Sequence, residues 1–125
     1  MRRSAVLTAS VALILGVSAC GGKSEADKIA AIIVAYGKQP SLLCTQYATP
    51  AMIRRQFGNL GQCLNLASYP AARDPNVKVG SVKVNGRRAT AIRTSGGISG
   101  RGPKSLIVLV STRAGWRVDA VLPAR

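Results

Sequence analysis

Histidine is absent from this chain, and only four acidic residues, Glu25, Asp27, Asp74 and Asp119, stand against 18 lysines and arginines. The missing imidazole removes the ordinary general base of neutral pH. No GxSxG segment is present, so a serine hydrolase has neither its nucleophile elbow nor its base. Three cysteines without a histidine cannot assemble the four ligands of a structural zinc site, and there is no CxxC pair for thiol redox exchange. Aromatics are sparse: one tryptophan, one phenylalanine and three tyrosines are too few for an obvious base-stacking platform. No apolar run approaches the roughly 20 residues that a membrane-spanning helix needs.

The chain opens MRRSAVLTASVALILGVSACGGKS. Arg2 and Arg3 give a basic start, an apolar run from Ala5 to Val17 follows, and small residues close the segment, which is the pattern of a secretory signal. Val17-Ser18-Ala19-Cys20 resembles the bacterial lipoprotein signal. In that family the cysteine sulfur receives a diacylglycerol thioether and cleavage falls just before it. The resemblance implies lipid attachment at Cys20, a signal peptide over 1–19, a tether over 20–24 and one small domain over 25–125. More than one acyl chain gives stable membrane attachment, which places the protein on the extracytoplasmic face of the cell membrane. With Cys20 so used, Cys44 and Cys63 remain as an even pair in an oxidising compartment and are expected to form a structural disulfide.

After processing, 16 basic residues face the same four acids, a net charge of +12. Such a surface is attracted to anionic lipid headgroups or other envelope polyanions, with an attraction that salt weakens. The basic residues are dispersed, with only Arg54-Arg55 and Arg87-Arg88 adjacent in the mature chain. That dispersion, together with export, argues against nucleic acid as a partner. GGISGRG, with Arg101 and Lys104 nearby, superficially suggests a phosphate cradle. It lies between two predicted strands and lacks the helix start that gives such loops their dipole, so it reads as a mobile connection and no cofactor is expected.

Ser24-Glu25-Ala26-Asp27 reads as a capping box, and Ile29, Ile32, Ile33 and Tyr36 recur at helical spacing, which predicts a first helix from Glu25 to Tyr36 ended by Gly37. SLLCTQYA suits a short helix. Thr49 caps a further helix, Pro50 to Phe57, with Pro50 at the first position and Gly58 beyond the end. Another turn around Leu60 to Leu66 would return Cys63 to the helical layer. After the loop YPAARDP, VKVGSVKV nearly alternates, and Asn85-Gly86 predicts a type I′ hairpin into RRATAIRT. SLIVLVST and WRVDAVL complete a four-stranded antiparallel meander, and an α+β domain follows. In the last strand Trp116, Val118 and Ala120 share one face, Arg117 and Asp119 the other, and Val121 fits less cleanly.

Helices followed by a sheet that ends in GWRVDAVLP resemble the cone-shaped fold shared by nuclear transport factor 2, ketosteroid isomerase and scytalone dehydratase. The lipoprotein cysteine, LCTQYAT, a second cysteine and the closing GWR hairpin resemble small actinobacterial envelope proteins of that superfamily. The resemblance covers residues 25–122 and implies helices packed in the concavity of a curved four-stranded sheet, an apolar pocket at the open end and pairing of two copies across the sheet. Tyr36, Tyr47, Trp116 and Asp119 are the candidate pocket or ligand contacts, although each tyrosine also suits an amphipathic core position.

Three functions fit these residues. One is a non-catalytic, lipid-anchored envelope protein that binds a small apolar ligand or docks an envelope protein. Another is an electrostatic binder of anionic lipids or polymers. The third is an isomerase or dehydratase of the cone fold, which requires Asp119 to enter a cavity beside a tyrosine hydroxyl.

Overall fold

The computed structural model describes residues 24–96 and 102–124. The signal segment, Cys20 with its tether through Lys23, and the centre of the glycine loop lie outside the described residues. Helix α1, Glu25–Lys38, starts at Ser24, whose Oγ accepts a hydrogen bond from the Asp27 amide at 3.1 Å. Glu25 and Asp27 put negative charge on the positive end of the helix dipole. Ile29, Ile33 and Tyr36 form its buried stripe. Gly37 does not end this helix. A Cβ there would lie 2.9 Å from both the Asp74 carbonyl oxygen and Val77 Cγ1, and the Asp74 amide donates to the Gly37 carbonyl at 2.7 Å. Glycine is needed because the later loop crosses the helix at this point.

A single π-helical turn, Leu43–Tyr47, closes with the Ala48 amide donating to the Leu43 carbonyl at 2.8 Å and buries Cys44. Helix α2, Pro50–Phe57, begins at Thr49, whose Oγ1 accepts from the Met52 amide, and stops at Gly58 with φ 85°. Helix α3, Leu60–Ala67, is capped by Asn59 and buries Cys63. A 3₁₀ turn, Pro70–Ala72, follows it.

Strands β1 Lys78–Asn85, β2 Arg88–Thr94, β3 Lys104–Thr112 and β4 Gly115–Pro123 pair antiparallel in chain order. Asn85 pairs with Arg88, so Gly86 and Arg87 form the first turn, and only Gly86 has positive φ (61°). That is the type II′ pattern, not the type I′ pattern expected from Asn-Gly. Between β3 and β4 the register jumps, with Leu109 opposite Val118 and Val108 opposite Ala120. Asp119 is the extra residue of a β-bulge. The inserted residue explains the broken alternation of this strand: Val118 and Val121 both turn to the core and Ala120 turns away.

The core lies between α1 and the inner sheet face, where Ile29, Ile33 and Tyr36 meet Ala89, Ala91, Ile107, Leu109 and Val118. Burying each large aliphatic side chain contributes about 1.5–3 kcal/mol. A smaller cluster of Cys44, Ile53 and Cys63 joins the π-helical turn to α2 and α3, and a disulfide links Cys44 to Cys63.

The cone expectation fails. The sheet is an open meander, neither curled nor closed, with β1 and β4 as its edges, so the helices do not sit in a concavity. Strands of 7–9 residues carry one irregularity in the β1–β2 pairing and one in the β3–β4 pairing. These irregularities do not curl the sheet, and α1 lies across β1 and β2. The resemblance to nuclear transport factor 2 and to its actinobacterial envelope relatives does not survive this geometry.

All helices cover the same face. The other face carries Ile92, Leu106, Val108, Val110 and Leu122, none of them packed on the core, with Leu122 46% exposed. Register places Lys78, Lys83, Arg88 and Lys104 on this same outer face.

Candidate functional site

Where α1, the π-helical turn and α3 meet β2, a cavity of about 170 Å³ opens beside the disulfide. Leu43, Phe57, Leu66 and Ala67 supply apolar wall, and Cys44 and Cys63 line it with their bridge. Tyr36 and Arg93 supply the polar groups. Their positions follow from period. Tyr36 continues the Ile29–Ile33 stripe by one turn, and Arg93 continues the inward alternation of Ala89 and Ala91.

An arginine at an inward strand position needs a partner, and Asp74 provides it. Arg93 Nη2 lies 3.3 Å from Asp74 Oδ2, while Asp74 Oδ1 accepts from the Gly96 amide at 3.0 Å. The guanidinium carbon sits 5.5 Å from the centre of the Tyr36 ring, within cation–π range. Two polar atoms are nevertheless left over: the Tyr36 hydroxyl and Arg93 Nε are buried without a hydrogen-bond partner among the described residues. Burial pushes the Tyr36 phenol up to about 12, against an opposing pull from the Arg93 charge, so it stays protonated and remains a donor at neutral pH. Tyr36 and Arg93 thus form part of the wall of an apolar cavity, while the Tyr36 hydroxyl and Arg93 Nε are themselves covered by that wall and the Arg93 charge is paired with Asp74.

The four predicted contact residues do not converge. Tyr36 lines this cavity, whereas Tyr47 and Trp116 line a separate, more open depression of about 410 Å³ with Glu25 and Lys28. The Trp116 indole N–H donates to Glu25 Oε2, which ties the start of α1 to β4. Lys28 first, and Trp116 second, hold the Glu25 carboxyl below the usual carboxylate range. Asp119 lines neither cavity. Its Oδ1 accepts from Thr49 Oγ1 at 2.8 Å, and Arg55 donates to its carbonyl oxygen at 2.6 Å. Thr49 thus accepts from the helix and donates to the bulge, so Asp119 anchors α2 to the sheet. No carboxylate–tyrosine pair forms around it, and the isomerase or dehydratase reading loses that support along with the cone.

Arg93, Asp74, Phe57 and the α3 wall went unrecognised in the sequence. Inward parity of Arg93 beside two alanines, and the scarcity of acids able to meet it, were the available signals. Among the described residues, no group of three or more histidine, cysteine, aspartate or glutamate side chains comes together, and no helix is long and apolar enough to cross a membrane. Comparison of the chain with protein-family models, curated proteins and solved structures found no match.

Proposed function

We propose that this chain is a non-catalytic, lipid-anchored protein of the cell envelope whose domain binds a compact apolar ligand bearing an oxygen acceptor. The reading is carried by Tyr36 and Arg93, which line the disulfide-walled cavity and each keep, covered in its wall, a donor without a partner among the described residues, so that a ligand reaches them by a small side-chain shift. A buried donor without a partner costs roughly 1–3 kcal/mol, a cost that a suitable acceptor recovers on binding. Cavity size bounds the ligand: an apolar cavity of about 150 Å³ accommodates a benzene ring. The ion pair between Arg93 and Asp74 favours a neutral acceptor such as a carbonyl over a carboxylate. The anchor is supported by Arg2, Arg3, the apolar run and Ser18-Ala19-Cys20.

Acetophenone and ethylbenzene, two ring-sized probes that differ in an acceptor, test the site when titrated into the protein by amide NMR. Saturable shifts at Tyr36, Leu43 and Ala67 are expected, with acetophenone about tenfold tighter than ethylbenzene, the value of one net hydrogen bond. Tyr36→Phe should reduce that preference. Equal Kd values for the two probes, or shifts scattered away from the cavity, would reject the reading.

A further inference from the structure

We infer that the helix-free face of the sheet docks flat against an anionic lipid surface. An apolar row of half-buried Ile92, Leu106, Val108 and Val110 with exposed Leu122 is not packed on the core. Lys78, Lys83, Arg88 and Lys104 are exposed around it.

No acid shares this face. Glu25 and Asp27 belong to the first turn of α1, Asp74 is buried against Arg93, and Asp119 turns toward Thr49 and Arg55. The occupant must therefore bring the negative charge itself, and a second copy of the chain presents the same cations and no acid to meet them. The apolar row adds a second requirement, that the occupant offer hydrocarbon behind its charge. An anionic lipid layer meets both, and an open sheet suits a planar partner. Exposed leucines also occur on α3, at Leu60, Leu64 and Leu66, but that helix has no charged residue to draw it to an anionic surface. This surface is distinct from the Tyr36–Arg93 cavity, and failure of either reading leaves the other standing.

The test is co-sedimentation of the full-length chain with phosphatidylglycerol–phosphatidylcholine vesicles and with pure phosphatidylcholine vesicles, from low to high salt. The N-terminal apolar segment contributes to both kinds of vesicle, so the ratio between them is the readout. Each basic residue near an anionic surface is worth about fivefold in partitioning. Lys83→Glu/Arg88→Glu should therefore lower the ratio by at least about 30-fold. Arg54→Glu/Arg73→Glu changes net charge equally but lies on the helical side, and should lower the ratio much less. Leu122→Ser should weaken anionic-vesicle binding, and Leu60→Ser should not. The preference should fade as the Debye length falls below about 10 Å.

Equal losses from the two charge-reversal pairs would overturn the inference in favour of diffuse attraction. Insensitivity to Leu122→Ser would overturn it in favour of an anionic polymer. Sedimentation as a dimer that protects the outer-face amides from exchange would overturn it in favour of self-association. Thermal melts of all four variants separate lost docking from lost folding.

Discussion

Tyr36 sits at a position where stability and recognition pull in opposite directions. Its ring completes the α1 stripe, but its hydroxyl is buried with no partner among the described residues, so the ring stabilises the fold and the hydroxyl costs it. Tyr36→Phe is therefore expected to keep or raise stability at pH 7, by up to about 1 kcal/mol, while reducing acetophenone selectivity. The alkaline limb carries a sharper signature. Below pH about 10 the phenol is protonated in both the folded and the unfolded chain, and its contribution to stability is fully present. As pH rises toward about 12 the unfolded phenol ionises first, the folded one resists, and stability falls. Two pH units correspond to about 2–3 kcal/mol. Urea denaturation of both proteins from pH 9 to pH 11.5 should show the wild type losing stability faster than Tyr36→Phe; parallel curves would mean that the hydroxyl is not held dry.

At the scale of elements, the wall of the cavity depends on a covalent tie. Helix α3 packs on α2, the π-helical turn and the 3₁₀ turn, and has only eight residues to hold it. The Cys44–Cys63 bridge closes a loop with a sequence separation of 19. Loop-closure entropy for that length is worth about 3 kcal/mol. Cys44→Ser/Cys63→Ser should lose about that much and should raise amide exchange in α3 well above that in β2 and β3. Uniform acceleration across the chain would mean that α3 is not a separately held unit. By contrast, α2 is fastened without a covalent bond. Thr49 caps it, hydrogen-bonds Asp119, and donates its own amide to the Val118 carbonyl at 2.9 Å.

For the molecule as a whole, helices cover one sheet face and leave the other open, and the single basic surplus is spread over both sides. The proposed lipid on Cys20 and the proposed docking of the outer face are compatible, since the anchor would hold that face near anionic headgroups. The intact mass of membrane-extracted protein is expected to equal residues 20–125 plus a diacylglycerol-type modification, with two hydrogens gained on reduction of the Cys44–Cys63 bridge. Cys20→Ser should remove the lipid mass. An unlipidated mature chain from the wild type would refute the anchor while leaving the cavity and the sheet face to their own tests.

Local chemistry marked the elements, although it misplaced the end of α1 at Gly37 and the type of the first hairpin turn. Ser24 and Thr49 with Pro50 mark helix starts, Gly58 marks an end, and the alternating runs separate into four strands. Cys44 and Cys63, the two cysteines expected to pair, form the observed bridge. Tertiary structure alone decided the rest, because it depends on contacts between residues far apart in the chain. Whether four strands stay open or curl is set by how helices pack across them, and GWRVDAVLP carries no record of that packing. Asp119 reads as a face residue in any alternating pattern, and only the bulge with Thr49, 70 residues away, turns it into an anchor. Arg93 and Tyr36 meet because α1 lies across β2, and their two covered donors, unpartnered among the described residues, arise from that crossing.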